Sequence, residues 1–137
     1  MKKILVIGSS NIDLLVRVPN MPTVGETIMS LSADKLPGGK GANQAFACGV
    51  LGGNTTFLSV VGNDMLADIL IGSMNKANVD ISRMEKTTEA LTGMAIICIN
   101  NQGDNSIIAI PGANAMCSIE YLKRHDKAFL ESDIVAL

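Results

Sequence analysis

Tryptophan is absent from this 137-residue chain, and aromatic residues make up only 3% of it. Without rings on which bases can stack, there is no platform for single-stranded nucleic acid. Basic blocks are missing as well. Lys and Arg number 11 against 13 Asp and Glu, a formal net charge of −2, so neither a nucleic acid nor an anionic membrane surface is an expected partner. Cysteine is sparse and odd in number (Cys48, Cys98, Cys117), no CxxC pair occurs, and His125 is the single histidine. This argues against a disulfide framework and against a zinc site, and it leaves the thiols as small apolar residues of a reducing compartment. Long hydrophobic runs are lacking too. Met-Lys-Lys followed by Ile4–Ile7 imitates a secretory signal, but the run stops at Gly8, short of the roughly 7–15 apolar residues of an h-region. Nothing approaches the roughly 18 apolar residues of a membrane span. The chain reads as soluble and cytoplasmic.

What is present suffices for one packed domain, since 47% of the residues are hydrophobic. Ile4–Ile7 has the continuous apolar pattern of a strand buried on both faces, and Ile12–Val18 suits a second strand. Pro19-Asn20-Met21-Pro22 forces a turn, and Glu26–Ser32 alternates loosely enough for a partly exposed strand. After the glycine cluster Pro37-Gly38-Gly39-Lys40-Gly41, Ala42–Leu51 predicts a helix with Gly52-Gly53 as its stop. Thr55–Val61 predicts another buried strand, and Asp64 an N-cap for a helix over Met65–Ala77. Ser82–Glu89 reads as polar connection, and Thr92–Asn100 and Ser106–Ile110 as a hairpin. Ser118 caps a helix to about Leu130, with His125 on its solvated surface, and Asp133–Leu137 opens a further buried strand. Strands alternating with helices give the α/β class. A parallel strand with no helix after it makes the chain look truncated, with Val135 on an uncovered edge that favours self-association.

Three features can carry chemistry. The Gly38-Gly39-Lys40-Gly41 turn opens a helix, where backbone N–H groups can approach an oxygen-rich ligand. It is not a Walker A loop, which needs Gly at 34 and Ser or Thr at 41, where Asp34 and Gly41 stand. Nor is it a dinucleotide fingerprint, because Gln44 occupies the last glycine position. Spacing alone leaves a plain glycine turn and an anion or polyol site both open. Asn11 and Asp13 alternate at the end of the first strand and so share a face. They suit either vicinal sugar hydroxyls or simply a polar strand end in water. Lys40 is a donor to a sugar or phosphate oxygen or an ordinary exposed lysine, and Asn43, one turn on, can reach the same ligand.

The segment Pro37-Gly38-Gly39-Lys40-Gly41-Ala42-Asn43-Gln44-Ala45 is similar to the first signature of the ribokinase-like (PfkB) carbohydrate kinases. The resemblance continues, in order, through Ile7–Asp13, Pro22–Thr27, Val61–Asp64, Thr92-Gly93 and Pro111–Ala115, and is strongest to the ribokinase branch. Ala67 departs from it, standing where the family often has glycine.

The resemblance implies a three-layer αβα sandwich, here partial, with a small β-sheet lid drawn from roughly Ile12–Leu36 and Leu91–Ile110. It implies an N-terminal half, since family members run to about twice this length, and a homodimer paired through the lid. Asn11, Asp13, Gly39, Lys40 and Asn43 fall on the family's sugar-binding positions, Asp13 as acceptor from two hydroxyls and Lys40 and Asn43 as donors. The partner so implied is a small-molecule sugar. The family's general-base aspartate lies in a Gly-Ala-Gly-Asp signature that does not occur here, so no catalytic residue is assigned before Leu137. MgATP and a monovalent cation belong to that other half, so no cofactor or metal is expected on these residues and the chain alone is expected to be inactive. Fructose, a phosphorylated hexose or a nucleoside remain alternative substrates. A non-catalytic sugar-binding or dimerisation module is the alternative of a different class.

Overall fold

The structure, a computed structural model, describes residues 1–137. In chain order it runs β1 (Lys3–Ile7), β2 (Asn11–Arg17), β3 (Ser32–Gly38), α1 (Lys40–Val50), β4 (Asn54–Leu58), β5 (Val60–Gly62) and α2 (Met65–Lys76). There follow β6 (Glu85–Thr87), β7 (Gly93–Ile99), β8 (Asn105–Ile110), a 3-10 turn (Gly112–Met116), α3 (Ile119–Arg124), α4 (Asp126–Leu130) and β9 (Ile134–Ala136).

β1 is the centre of a parallel sheet ordered β4-β1-β9. Its side chains alternate between two cores, as strand geometry requires. Val6, with Phe57 of β4, packs against Ala42 and Ala45 of α1 and Leu70 and Met74 of α2. Leu5 and Ile7, with Leu58, pack on the opposite face against Ala113, Tyr121 of α3 and Ala128 of α4. Helices thus cover both faces of the sheet, the three-layer α/β arrangement. Each fully buried Leu or Phe in these layers contributes about 1.5–3 kcal/mol.

A second sheet, ordered β3-β2-β7-β8, stands apart from the first. β2 is its antiparallel partner to β3 (Asn11 opposite Gly38, Asp13 opposite Leu36) and its parallel partner to β7. Ile12 is buried in the core shared with α1 and α2, so its neighbours Asn11 and Asp13 face the other way. Most of this sheet is only half-buried, and β8 is exposed along its whole length.

Several boundaries differ from the sequence reading, each for a physical reason. The strand expected at Glu26–Ser32 lies instead at Ser32–Gly38. Glu26 is held in a turn, its carboxylate accepting from the Thr23 N–H (2.8 Å) and hydroxyl (3.0 Å), so pairing with β2 begins only after Leu31. The run Thr55–Val61 divides at Ser59, and β5 leaves the central sheet to pair with β6, a strand inside the supposed polar connection. The helix expected from Ser118 to Leu130 breaks at His125. That residue is not solvated: its side chain is 16% exposed, edge-on to the Tyr121 ring, with Nε2 3.2 Å from the Glu85 carboxylate. α1 begins at Lys40, two residues before the expected start. The three cysteines are free and half-buried.

Candidate substrate site at the carboxyl end of the first strand

The chain leaves β1 through Gly8-Ser9-Ser10, and α1 docks directly on this exit. Ala42 N–H donates to the Ser9 carbonyl (3.0 Å), and Gly8 and Gly41 pack so closely that a Cβ on Gly41 would stand 2.6 Å from the Gly8 backbone. At the turn itself Gly39 adopts φ +94°, a conformation that L side chains resist, and a Cβ there would press on the Ser9 carbonyl at 2.5 Å. Glycine is required here so that the start of α1 can sit against the start of β2.

The result is a convergence. Gly38 lies against the Asp13 carboxylate with no room for a side chain between them, and Gly39 meets the Asn11 backbone. Lys40 follows as the exposed first residue of α1, whose uncapped N-terminus carries the positive end of the helix dipole. Asn11, Asp13, Gly39 and Lys40 are therefore brought to one end of the molecule, at the carboxyl end of β1, where open α/β sheets gather ligands. Asn43 stands one turn further along α1, exposed, beside a shallow cavity shared with Leu36, Pro37 and Phe46. Its backbone N–H donates to the Gly39 carbonyl (2.9 Å), but its side chain makes no hydrogen bond to the other four. The site is an open shelf: none of the molecule's cavities is lined by Asn11, Asp13, Gly39 or Lys40.

Charges on the shelf are unspent. The ion pairs of the molecule join Arg83 to Glu131, Lys86 to Asp68, and Arg124 and His125 to Glu85, leaving Lys40 and Asp13 free. Burial pushes the Asp13 carboxyl above its ordinary value, with no protein donor to offset the effect. An acceptor and a cation without internal ion-pair partners, beside an amide, are the groups that hydroxyl recognition needs.

Asn114, outside the sequence-predicted set, touches the shelf, and Thr92, also outside it, anchors the entry to β7. Asn114, on the 3-10 turn, hydrogen-bonds Asn11 Oδ1 (2.8 Å) and both backbone groups of Ser10. Thr92, just before β7, is tied to Asp64 by its N–H and its hydroxyl, each at 2.8 Å. Both lie in glycine-flanked segments noted in the sequence, but pairing across such separations has no local signature.

A parallel sheet covered by helices on both faces, with a second half-exposed sheet beside it, defines a layered α/β domain of the kinase-like class. The chain belongs to the pfkB family of carbohydrate kinases, whose model matches residues 1–137. It is similar to a ribokinase of Staphylococcus aureus, 37% identical over 134 residues that cover 97% of this chain and 44% of that protein. Its fold matches the ribokinase crystal structure from Thermotoga maritima with a TM-score of 0.89 at 36% identity, over 98% of this chain and 44% of the other. It also matches the Arabidopsis thaliana ribokinase complexed with ribose and ATP, with a TM-score of 0.77 at 32% identity, over 82% and 37% of the two chains. The chain spans less than half the length of these relatives.

Proposed function

We propose that these residues form the sugar-binding portion of an ATP-dependent kinase of the ribokinase type, which phosphorylates a primary hydroxyl of a pentose. The observation that carries this reading is the contact between the Asp13 carboxylate and the Gly38-Gly39 turn, which leaves Asp13 and Lys40 unpaired at one end of β1. A similar protein seen with ribose and ATP supports the substrate class.

In this reading Asp13 accepts from two ring hydroxyls, while Lys40 and Asn43 donate to others. The N-terminus of α1 favours the oxygen-rich face of the ligand. The β3-β2-β7-β8 sheet acts as a lid, and its closure over the shelf excludes water from the sugar hydroxyl that is to react. MgATP, when bound, supplies the phosphoryl group. No Gly-x-Gly-Asp run occurs among these residues, and the 137-residue chain alone is expected to be inactive. The exposed Ile107, Ile108 and Ile110 of β8 make the same sheet the proposed contact with a second copy.

Asp13→Ala in the full-length kinase tests the reading. The expected result is a KM for ribose raised on the order of a hundredfold or more, as suits loss of two charge-assisted hydrogen bonds, with the KM for ATP little changed. An unchanged KM for ribose would overturn the assignment.

A further inference from the structure

The orientation of the Asn11 amide is set from outside the shelf. Asn114 Oδ1 accepts from the Ser10 N–H at 2.8 Å, while its Nδ2 faces the carbonyl oxygens of Ser10 (3.1 Å) and Pro111 (3.0 Å). A backbone N–H can only donate and a backbone carbonyl can only accept, so the two ends of the Asn114 amide cannot be exchanged. The same Nδ2 lies 2.8 Å from Asn11, which must therefore present its oxygen. With Oδ1 so engaged, the Asn11 NH2 group is left without a partner in the protein. Gly93 points to the same contact from a third element. A Cβ there would overlap Asn114 Nδ2 and stand 2.5 Å from Asn11 Oδ1, so the bare backbone of β7 keeps room for this hydrogen bond.

We propose that Asn114 is a positioning residue of the substrate site, holding Asn11 with its NH2 group as the free end. This rests on the sugar-site reading given above and adds a rule of recognition to it. Asn11 becomes an obligate donor beside Asp13, an obligate acceptor when ionised. A hydroxyl both donates and accepts and so satisfies the pair. A ligand with a carbonyl or ether oxygen there leaves Asp13 unmatched, and one lacking the oxygen loses both bonds.

The test is a double-mutant cycle in the full-length kinase, reading ribose Kd by calorimetry together with kcat and the thermal midpoint. Asn114→Asp keeps an oxygen for the Ser10 N–H but removes the donor that faces Asn11 and the Ser10 and Pro111 carbonyls, so it reverses the group that orients Asn11, while the thermal midpoint reads what the lost backbone bonds cost. Asn114→Ala and Asn114→Asp are each expected to weaken ribose binding about tenfold, with kcat little changed. The Asn11→Ala/Asn114→Ala pair should bind no worse than Asn11→Ala alone, and Gly93→Ala should repeat the loss. Additive losses in the double variant, or wild-type ribose binding by Asn114→Asp, would overturn the positioning role. If Asn11→Ala itself left ribose binding intact, the sugar-site reading would fail instead.

Discussion

On the proposed reading, Asp13 carries a conflict between folding and sugar binding. Burial raises its carboxyl above the ordinary aspartate range, so the folded chain holds that proton more tightly than the unfolded one. Folded stability therefore gains as pH falls from the raised value towards the ordinary 3.8, and the full cost of the charge is borne above the raised value. Asp13→Asn, which removes the charge at constant size, is expected to keep or raise the thermal midpoint at pH 7 while sugar binding is lost. A lowered midpoint would contradict this. Sugar affinity of the unaltered protein should begin to decline on acidification at a higher pH than an ordinary aspartate dictates. Asn11, Asp13, Gly39 and Lys40 were legible in the sequence because their signals are local: alternation at a strand end, and a glycine turn opening a helix. Asn114 was not, because its partner lies 103 residues away and nothing in its own neighbourhood marks it as more than a tight turn.

Among the elements, α2 is the one most firmly tied at its start. Asp64 accepts from the Ala67 N–H at 2.9 Å as an N-cap and also receives the Thr92 N–H and hydroxyl, so one carboxylate joins α2 to the entry of β7. Burial alone would raise this carboxyl, but the donors of Thr92, Ala67 and Leu66 outweigh it and hold it below the ordinary value of 3.8. The sign is opposite to that of Asp13: the stabilisation is present above pH 3.8 and is lost as pH falls through the lower folded value. Asp64→Ala is expected to cost about 2–4 kcal/mol in urea denaturation at pH 7, from a lost cap and orphaned donors. The difference should shrink in strong acid, and a cost that did not vary with pH would contradict the assignment.

Element identity was largely readable from apolar patterning, and the capping roles of Asp64 and Ser118 from residue type. Two of the misplacements share a cause. Ser59, where one apolar run changes sheets, and His125, where one helix becomes two, are governed by distant partners. Ser59 Oγ pairs with buried Ser10 Oγ at 2.7 Å, and its carbonyl lies 3.0 Å from the Tyr121 hydroxyl.

At the scale of the whole molecule, β1 is covered on both faces but the sheet is open beyond β9. Ile134 and Val135 are 46% and 43% exposed on that edge, and Ile119 and Leu130 add apolar surface on the adjoining helices. No helix is long and apolar enough to cross a membrane. An uncovered apolar strand edge is a template for pairing with another chain. The 137-residue chain alone should therefore elute above its 14.4 kDa mass in size-exclusion chromatography at micromolar concentration. Val135→Lys, which blunts the edge, should shift it towards the monomer. A monomer unaffected by the substitution would show that the edge is protected in some other way.

The shelf at the end of β1 is tested most directly by a crystal structure of the full-length protein with ribose bound. The expected result is a ring with two hydroxyls within hydrogen-bond distance of the Asp13 carboxylate, another within reach of Lys40 Nζ, and the Asn11 NH2 group turned towards the sugar. A ribose lying elsewhere, with Asp13 and Lys40 facing only solvent, would contradict it.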